Sequence, residues 1–292
     1  MKFSYYPGCT LKNHAKNFED STLFSMSHLG LEVEEMSRWN CCGTVASLAA
    51  DDLIHQLAPV RNLIRVKEEG NTQLVTACSM CFNTLKRANE RVRANPTELT
   101  QMNEFMYDEE TPYEGDVDVH HVLGVVRDTV GFKDVKAKVV KPLTGLKVAN
   151  YYGCTLVRPK HAAIDDTENP VVMENLVKAL GATPIEYPMK TECCGAYRTV
   201  DNPHIVADKT YQIVGSARAL GADVIAVSCP LCAYNLDHRQ EMTIKDHPDF
   251  IGLPVVYFTQ LMAIAFGCGE QILQFGLHHF SPKPVLAGKG LI

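Results

Sequence analysis

The sequence predicts an α/β protein built from one unit used twice, each copy a parallel sheet flanked by helices. Three observations carry that expectation. The cysteines repeat: Cys9, Cys41-Cys42 and Cys78-x-x-Cys81 in the first half are matched by Cys154, Cys193-Cys194 and Cys229-x-x-Cys232 in the second, at offsets of 145, 152 and 151 residues. The letters around them repeat as well. Tyr5-Tyr6-Pro7-Gly8-Cys9-Thr10-Leu11 is echoed by Tyr151-Tyr152-Gly153-Cys154-Thr155-Leu156, both double cysteines run into a glycine (Gly43, Gly195), and Asn83 answers Asn235. Ten of the 11 cysteines thus form two sets of five, the signature of a duplication. Finally, short β-rich runs alternate with longer helical ones in both halves, which implies right-handed βαβ units.

Taken in order, Phe3 to Tyr6 reads as a strand, Ala15 to Leu29 as a helix ended by Gly30, and Leu31 to Glu34 as a strand. Ala46 to Glu69 is helical in pattern, and Gln73 to Thr76 is a strand that runs into Cys78. Asn95 to Asp118 is polar, with Glu109, Glu110, Pro112 and Gly115 marking an exposed connector, and Val119 to Val130 then reads as a helix. In the second half Leu146 to Tyr152 is a strand, Glu174 to Leu180 a helix closed by Gly181, and Pro184 to Tyr187 a short strand. Val206 to Leu220 is a helix closed by Gly221, Val224 to Val227 a strand into Cys229, and Val255 to Phe266 a helix matching Val119 to Val130. The boundary falls near Pro142-Leu143-Thr144-Gly145, giving domains 1–142 and 143–292. Every cysteine motif then lies at or just beyond the C-terminal end of a strand, where loops distant in sequence converge in open α/β sheets.

The length of 292 residues fits two domains, each large enough to bury a core. With 28 basic and 34 acidic side chains and no Lys/Arg-rich run, the chain has nothing to displace phosphate counterions, which excludes a nucleic-acid backbone binder. The single Lys2 at the N-terminus is followed by no apolar run, and the longest apolar candidate, Leu253 to Gly267, is broken by Pro254, Thr259 and Gln260. A soluble, cytoplasmic chain with neither membrane nor nucleic acid as partner is expected. In a reducing cytoplasm, paired cysteines point to metal or redox chemistry rather than to disulfides.

A structural zinc ion needs four ligands in a tetrahedron, whereas each half offers five thiolates, two of them adjacent. Adjacent side chains leave the backbone in divergent directions, which suits a polynuclear centre whose metal atoms are reached by different sulfurs, so iron with sulfide is favoured over zinc. Gly43 and Gly195 would let the backbone turn at positive φ and bring N–H groups close to sulfur. A thioredoxin-like dithiol would account for Cys78-x-x-Cys81 and Cys229-x-x-Cys232 but leaves six repeated cysteines unexplained. No G-x-G-x-x-G occurs, so neither a flavin nor NAD is expected in this chain. Two equivalent one-electron sites facing one another would suit a two-electron substrate such as a disulfide. Outside the repeat, His120-His121 sits in an apolar run with no cysteine partner and reads as core or surface histidine, and His278-His279 falls near a polar C-terminal tail. Cys268 reads as a free buried thiol, and Trp39, beside Cys41, as a cluster shield, a docking residue or a core residue.

The doubled five-cysteine pattern resembles the CCG-domain family, and residues 1–268 are similar to the B subunits of the soluble heterodisulfide reductases of methanogenic archaea. The resemblance implies an oxidoreductase that reduces the mixed disulfide of coenzyme M and coenzyme B to two thiols. It implies two noncubane [4Fe-4S] clusters, catalytic and metal-binding at once: one on Cys9, Cys41, Cys42, Cys78 and Cys81, the other on Cys154, Cys193, Cys194, Cys229 and Cys232. The sulfonate and phosphate of such a substrate call for cationic contacts, for which Lys12, Arg158, Lys160 and Arg198 are candidates, with His14, Arg38, His161 and Lys190 also beside the motifs. Since no ferredoxin-type C-x-x-C-x-x-C-x-x-x-C segment is present, electrons would come from the small ferredoxin-like subunit of a heterodisulfide reductase. That protein would in turn be attached to a flavin-containing, bifurcating subunit and to a hydrogenase or formate dehydrogenase. Other CCG-domain roles stay open: thiol-dependent fumarate reduction, lactate or glycolate oxidation, a quinone-linked enzyme, or a non-catalytic electron-transfer or metal-binding module.

Overall fold

The computed structural model describes residues 2–44 and 52–292. Its framework is two four-stranded parallel sheets. The first contains β1 (Lys2–Tyr5), β2 (Glu32–Glu35), β3 (Gln73–Thr76) and β4 (Asp118–His121) in the order β2-β1-β3-β4. The second contains β5 (Lys147–Tyr151), β6 (Thr183–Pro184), β7 (Val224–Val227) and β8 (Val255–Tyr257) in the order β6-β5-β7-β8. Registers are parallel throughout, with Phe3 opposite Val33, Leu74 opposite Val119 and Tyr151 opposite Val227. All four residues of β7 are buried, as a strand covered by helices on both faces requires. In each sheet the strand order reverses between the two central strands, β1 and β3 or β5 and β7, and ligand crevices open outside the carboxyl ends of strands at such a switch point.

One apolar core runs through both sheets. Helix Lys16–His28 of the first half packs against helix Phe258–Ala265 of the second. There Phe18 stacks on Tyr257 with ring centroids 4.1 Å apart, and the Ser21 and Thr259 hydroxyls lie 2.7 Å apart. Burying a side chain the size of Phe18 contributes about 1.5–3 kcal/mol. The Val140 and Lys141 N–H groups both donate to the Ala265 carbonyl at 2.9 Å. The halves are therefore held in a fixed relation by packing.

Several elements differ from the sequence expectation. Val119–Val130 and Val255–Phe266 each begin as a strand, β4 or β8, and only then turn into a helix, Val122–Val125 or Phe258–Ala265. An apolar run this short cannot be told from a helix by periodicity, and the caps carry no ordinary start signal. Instead His121 Nδ1 accepts the Leu123 N–H, and Gln260 Oε1 accepts the Tyr257 N–H. The connector after Asn95 contains a helix, Pro96–Phe105, started by an Asn95 side chain that accepts the Glu98 N–H and by Pro96 in the first turn. Its later part buries Tyr113, whose hydroxyl donates to Asn89. Of the helix expected from Ala46, residues 46–51 lie outside the described residues, and Leu57–Glu68 is helical. The strand expected over Pro184–Tyr187 pairs only at Thr183–Pro184, at the sheet edge where a proline without an N–H is tolerated. The C-terminal segment is no loose polar tail: buried Asp237 accepts the N–H groups of His279 and Phe280 at 2.7 and 2.9 Å. No helix among the described residues is long and apolar enough to cross a membrane.

His120 and His121 lie on β4 with protein partners, Gln73 and the Ala77 carbonyl. His121 is fully enclosed, and burial pushes its pKa from 6.5 down to about 4. The unfolded chain then binds a proton that the folded chain refuses. The stabilising contribution is complete above about pH 6.5 and is lost as pH falls towards 4, by roughly 3 kcal/mol. Urea midpoints measured across that window should fall for the native chain and fall less for His121→Gln; parallel slopes would contradict this origin.

Candidate metal centre

Each cysteine is placed by the element that precedes it. Cys9 opens helix Cys9–Asn13 directly behind β1, and Cys154 follows β5 in the equivalent turn. Cys78 is the N-cap of helix Ser79–Ala94 behind β3, Cys229 that of helix Pro230–His238 behind β7, and Cys81 and Cys232 lie one turn further on. The double cysteines come from the loops after β2 and β6. Within the sets, Cys42 and Cys81 sulfurs are 3.7 Å apart and Cys194 and Cys232 sulfurs 3.6 Å apart. Further thiol contacts join Cys41 to Cys42, Cys78 to Cys81, Cys154 to Cys193 and Cys229 to Cys232, and Cys78 reaches Cys229 across the two halves. All are free thiols. Among the described residues, no group of three or more His, Cys, Asp and Glu side chains is drawn together at the spacing of a single metal ion.

The thiols differ in how their surroundings treat charge: neighbouring thiols and burial raise the pKa of Cys41, Cys78, Cys81, Cys154 and Cys232, whereas hydrogen bonds from neighbouring thiols lower Cys42, Cys193 and Cys229. A hydrogen bond from Cys154, with help from the Gly195 and Ala196 N–H groups, brings the Cys193 thiol down to about 6 against the opposing effect of burial. The Gly195 N–H lies 3.4 Å from that sulfur, and Gly43 and Gly195 both have positive φ, 78° and 80°. Asn235 donates to Cys194 at its carbonyl, 3.2 Å, and its sulfur, 3.4 Å. Its counterpart in the first half is Thr84, which bonds Cys42, so the Asn83–Asn235 correspondence drawn from matching letters is one residue out of register.

Asn83 has a different role. Its amide donates to the Thr155 and Arg158 carbonyls, both at 2.7 Å, so a helix carrying Cys81 clamps the loop carrying Cys154. The halves also meet where Ser79 donates to the Ser228 carbonyl through its N–H, 3.2 Å, and its hydroxyl, 2.9 Å. Asn83→Ala leaves two carbonyls without their donor and is expected to cost about 2–4 kcal/mol, read as a lower denaturation midpoint; a change under half of that would show that water replaces the clamp.

Two cavities adjoin the sulfurs. One, of about 640 Å³, opens on the first set and on Cys229 of the second, and is walled by Met80, Leu231, Tyr234, Tyr257 and Leu277, with His14, His238 and His278 also lining it. His278 Nε2 accepts hydrogen bonds from the amides of Asn17 and Gln260, 3.1 and 2.9 Å, which fixes a neutral ring, and burial lowers its pKa. The other, of about 540 Å³, opens beside Cys154 and includes Arg87, Arg158, Lys160 and Tyr197.

Of the cationic candidates, Arg158 and Lys160 therefore border a cavity, while Lys12 is held by Glu19 and Glu35 at 2.6 and 2.5 Å, and Arg198 by Asp201 at 2.8 Å. Arg38 pairs with Glu68, Lys190 with Glu174 and His161 with Glu90, and His14 lines the first cavity. Arg87, Tyr234 and His278 carry no signal in the sequence, because each serves a cysteine set from the other half or from the C-terminal segment. Trp39 is partly buried, edge-on to Tyr6, with its N–H on Glu35. Cys268 is half-buried rather than enclosed, its pKa raised by burial to about 11.

Comparison with known proteins agrees with this duplicated layout. The model of the CCG cysteine-rich domain matches residues 3–86 and again 148–237. The chain is 32% identical over 279 residues to the 8-methylmenaquinol:fumarate reductase membrane anchor subunit of Wolinella succinogenes, covering 95% of this chain and 96% of that one. It is 28% identical to a protein of Archaeoglobus profundus described as like the B subunit of heterodisulfide reductase, covering 91% of both chains. To the B subunit of the ferredoxin/F420H2-dependent CoB-CoM heterodisulfide reductase of Methanosarcina acetivorans it is 27% identical, covering 91% of this chain and 89% of that one. Among solved structures, a hypothetical protein from Helicobacter pylori superposes with a TM-score of 0.77 at 14% identity; the match takes in 95% of this chain and 51% of the other, and shows the fold alone. With two copies of that domain covering more than half its length, the chain belongs to the CCG family of cysteine-rich domains.

Proposed function

We propose that this chain is the iron–sulfur subunit of a multisubunit oxidoreductase in which a two-electron substrate reacts in one-electron steps at two sites. One site is Cys9, Cys41, Cys42, Cys78 and Cys81 in a domain spanning 1–142, the other Cys154, Cys193, Cys194, Cys229 and Cys232 in a domain spanning 143–292. The observation that carries the reading is that both all-thiol sets lie at the switch points of their sheets and that Cys78 and Cys81 of the first line one cavity with Cys229 of the second. The donors fit an iron–sulfur cluster: sulfur only, adjacent cysteines in each set, and N–H groups aimed at sulfur. A noncubane [4Fe-4S] cluster at each set would supply one electron per site. The chain's own residues would hold the thiolates through Asn235 and the Gly195 N–H, and they give the first cavity a mostly apolar wall.

The name of the Methanosarcina acetivorans relative favours the coenzyme M–coenzyme B heterodisulfide as substrate. On that reading electrons would come from a ferredoxin-like subunit, fed by a flavin-containing one and a hydrogenase or formate dehydrogenase. A specific observation favours a second substrate, a quinol: the cavity at the first set is mostly apolar, and the Wolinella relative is named for menaquinol. Free thiols support a cytoplasmic setting. Chain purified without oxygen should carry about eight irons and as much acid-labile sulfide; zinc without sulfide would end the reading. Reduction of the heterodisulfide by a reduced dye, set beside oxidation of a menaquinol analogue, separates the two substrates, and activity with neither would leave a passive electron carrier.

A further inference from the structure

Both substrate chemistries considered above move protons: reducing a disulfide to two thiols takes up two electrons and two protons, and oxidising a quinol releases the same. The two cavities are unequal in this respect, although the duplication sets corresponding helices beside them. The residue six positions after the last cysteine of each set lines the cavity of the opposite set, Arg87 beside Cys154 and His238 at the first set. A guanidinium keeps its protons at any working pH, whereas an imidazole gains or loses one near neutrality. Most other titratable groups of the first cavity are committed elsewhere. His278 accepts two amide N–H groups, Asp237 accepts the His279 and Phe280 N–H groups, and Tyr257 is enclosed and stacked on Phe18. His14 has neither a hydrogen bond nor a ring contact among the described residues, so nothing fixes its ring. His238 is exposed at the cavity rim yet held in place: its ring stacks on Tyr234 at 4.9 Å and lies 5.4 Å from that of His279, which faces Glu241 at 3.6 Å. Among the described residues its ring nitrogens have no protein partner, which leaves one for a bound molecule and one for solvent.

We infer that His238 is the group that exchanges protons with the substrate at the first cysteine set. The inference rests on the sets being the reaction sites and deepens that reading by naming where the protons travel. With a disulfide, one S–S bond breaks, two electrons arrive from the partner subunits and each sulfur becomes a thiol. The His238 imidazolium gives its N–H proton to a product sulfur, regains one from solvent and gives a second. With a quinol the direction reverses: two O–H bonds break, the electrons leave through the partner subunits, and neutral His238 passes each proton in turn to solvent. Burial lowers its pKa from 6.5, with Asp237 pulling the other way and His279 and Arg239 adding to the lowering.

The test uses the full chain as isolated, with whichever of the two substrates the native chain turns over. His238→Ala should lower kcat about a hundredfold and change KM by less than about threefold. Imidazole added to that variant should raise its rate at least about tenfold, a rescue that a merely structural defect would not show. In the native chain disulfide reduction should slow, or quinol oxidation quicken, as pH rises through the pKa of His238, and His238→Ala should lose that limb. A readout apart from turnover is diethyl pyrocarbonate labelling resolved by mass spectrometry. Neutral His238 should react with a midpoint below pH 6.5, and His279→Gln should move that midpoint up while His204 keeps its own. A rate for His238→Ala within threefold of native, a loss that imidazole does not restore, or an unreactive His238 would overturn the inference alone. A native chain that turned over neither substrate would end the reading of the sets as reaction sites, and the role of His238 with it.

Discussion

Cys194→Ala is expected to remove about half of the iron and labile sulfide from the purified chain while the first half stays folded. Cys194 is buried, its sulfur 3.6 Å from that of Cys232 and 3.4 Å from the Asn235 amide, so no neighbouring group can take its place. The remaining thiols of the set keep their strands and helices, since Cys229 and Cys232 are held by β7 and helix Pro230–His238 whether or not metal is present. Cys268→Ala is the control. It lies in neither set and should leave iron and sulfide as they were. If Cys194→Ala kept the full complement of iron, its role as a ligand would be gone; if it lost all of the iron, the two sites would be one cooperative unit, joined through Cys78 and Cys229.

The parts of this architecture that could be read from the sequence are those where one physical signal dominates. β3 and β7 were legible because a β-rich run, Gln73–Thr76 or the wholly apolar Val224–Val227, ends two residues before Cys78 or Cys229. The duplication was legible because the cysteine spacing repeats. β4 and β8 were hidden because the helices after them are started by His121 and Tyr257, residues that seldom cap. The match of Asn83 with Asn235 misled because identical letters outweighed the cysteine register, which puts Thr84 against Asn235. The cavities were the least accessible of all. Each is completed by a helix from the opposite half, Arg87 beside Cys154 and Tyr234 beside Cys9, and nothing in either half alone says that the halves face each other.

That crossed arrangement needs the backbone in front of each first cysteine to come very close to the last cysteine of its set, and Gly8 is where it does. Its φ of 74° and ψ of 160° fall in a region that is essentially open to glycine alone. A Cβ built there would lie 2.9 Å from the Cys81 sulfur. Gly8→Ala therefore carries two costs, about 1–3 kcal/mol for the backbone and about 1–3 kcal/mol for forcing atoms into a packed site. Together these predict a loss of roughly 2–6 kcal/mol of stability and a displaced Cys81. Gly30 separates the two, because it also has positive φ, 80°, yet a Cβ there meets nothing within 4 Å. Gly30→Ala should cost only about 1–2 kcal/mol and leave the iron content untouched. Denaturant melts give the first comparison and metal analysis the second. If Gly8→Ala destabilised no more than Gly30→Ala and kept its iron, the close approach of Gly8 to Cys81 would have no part in holding the site together.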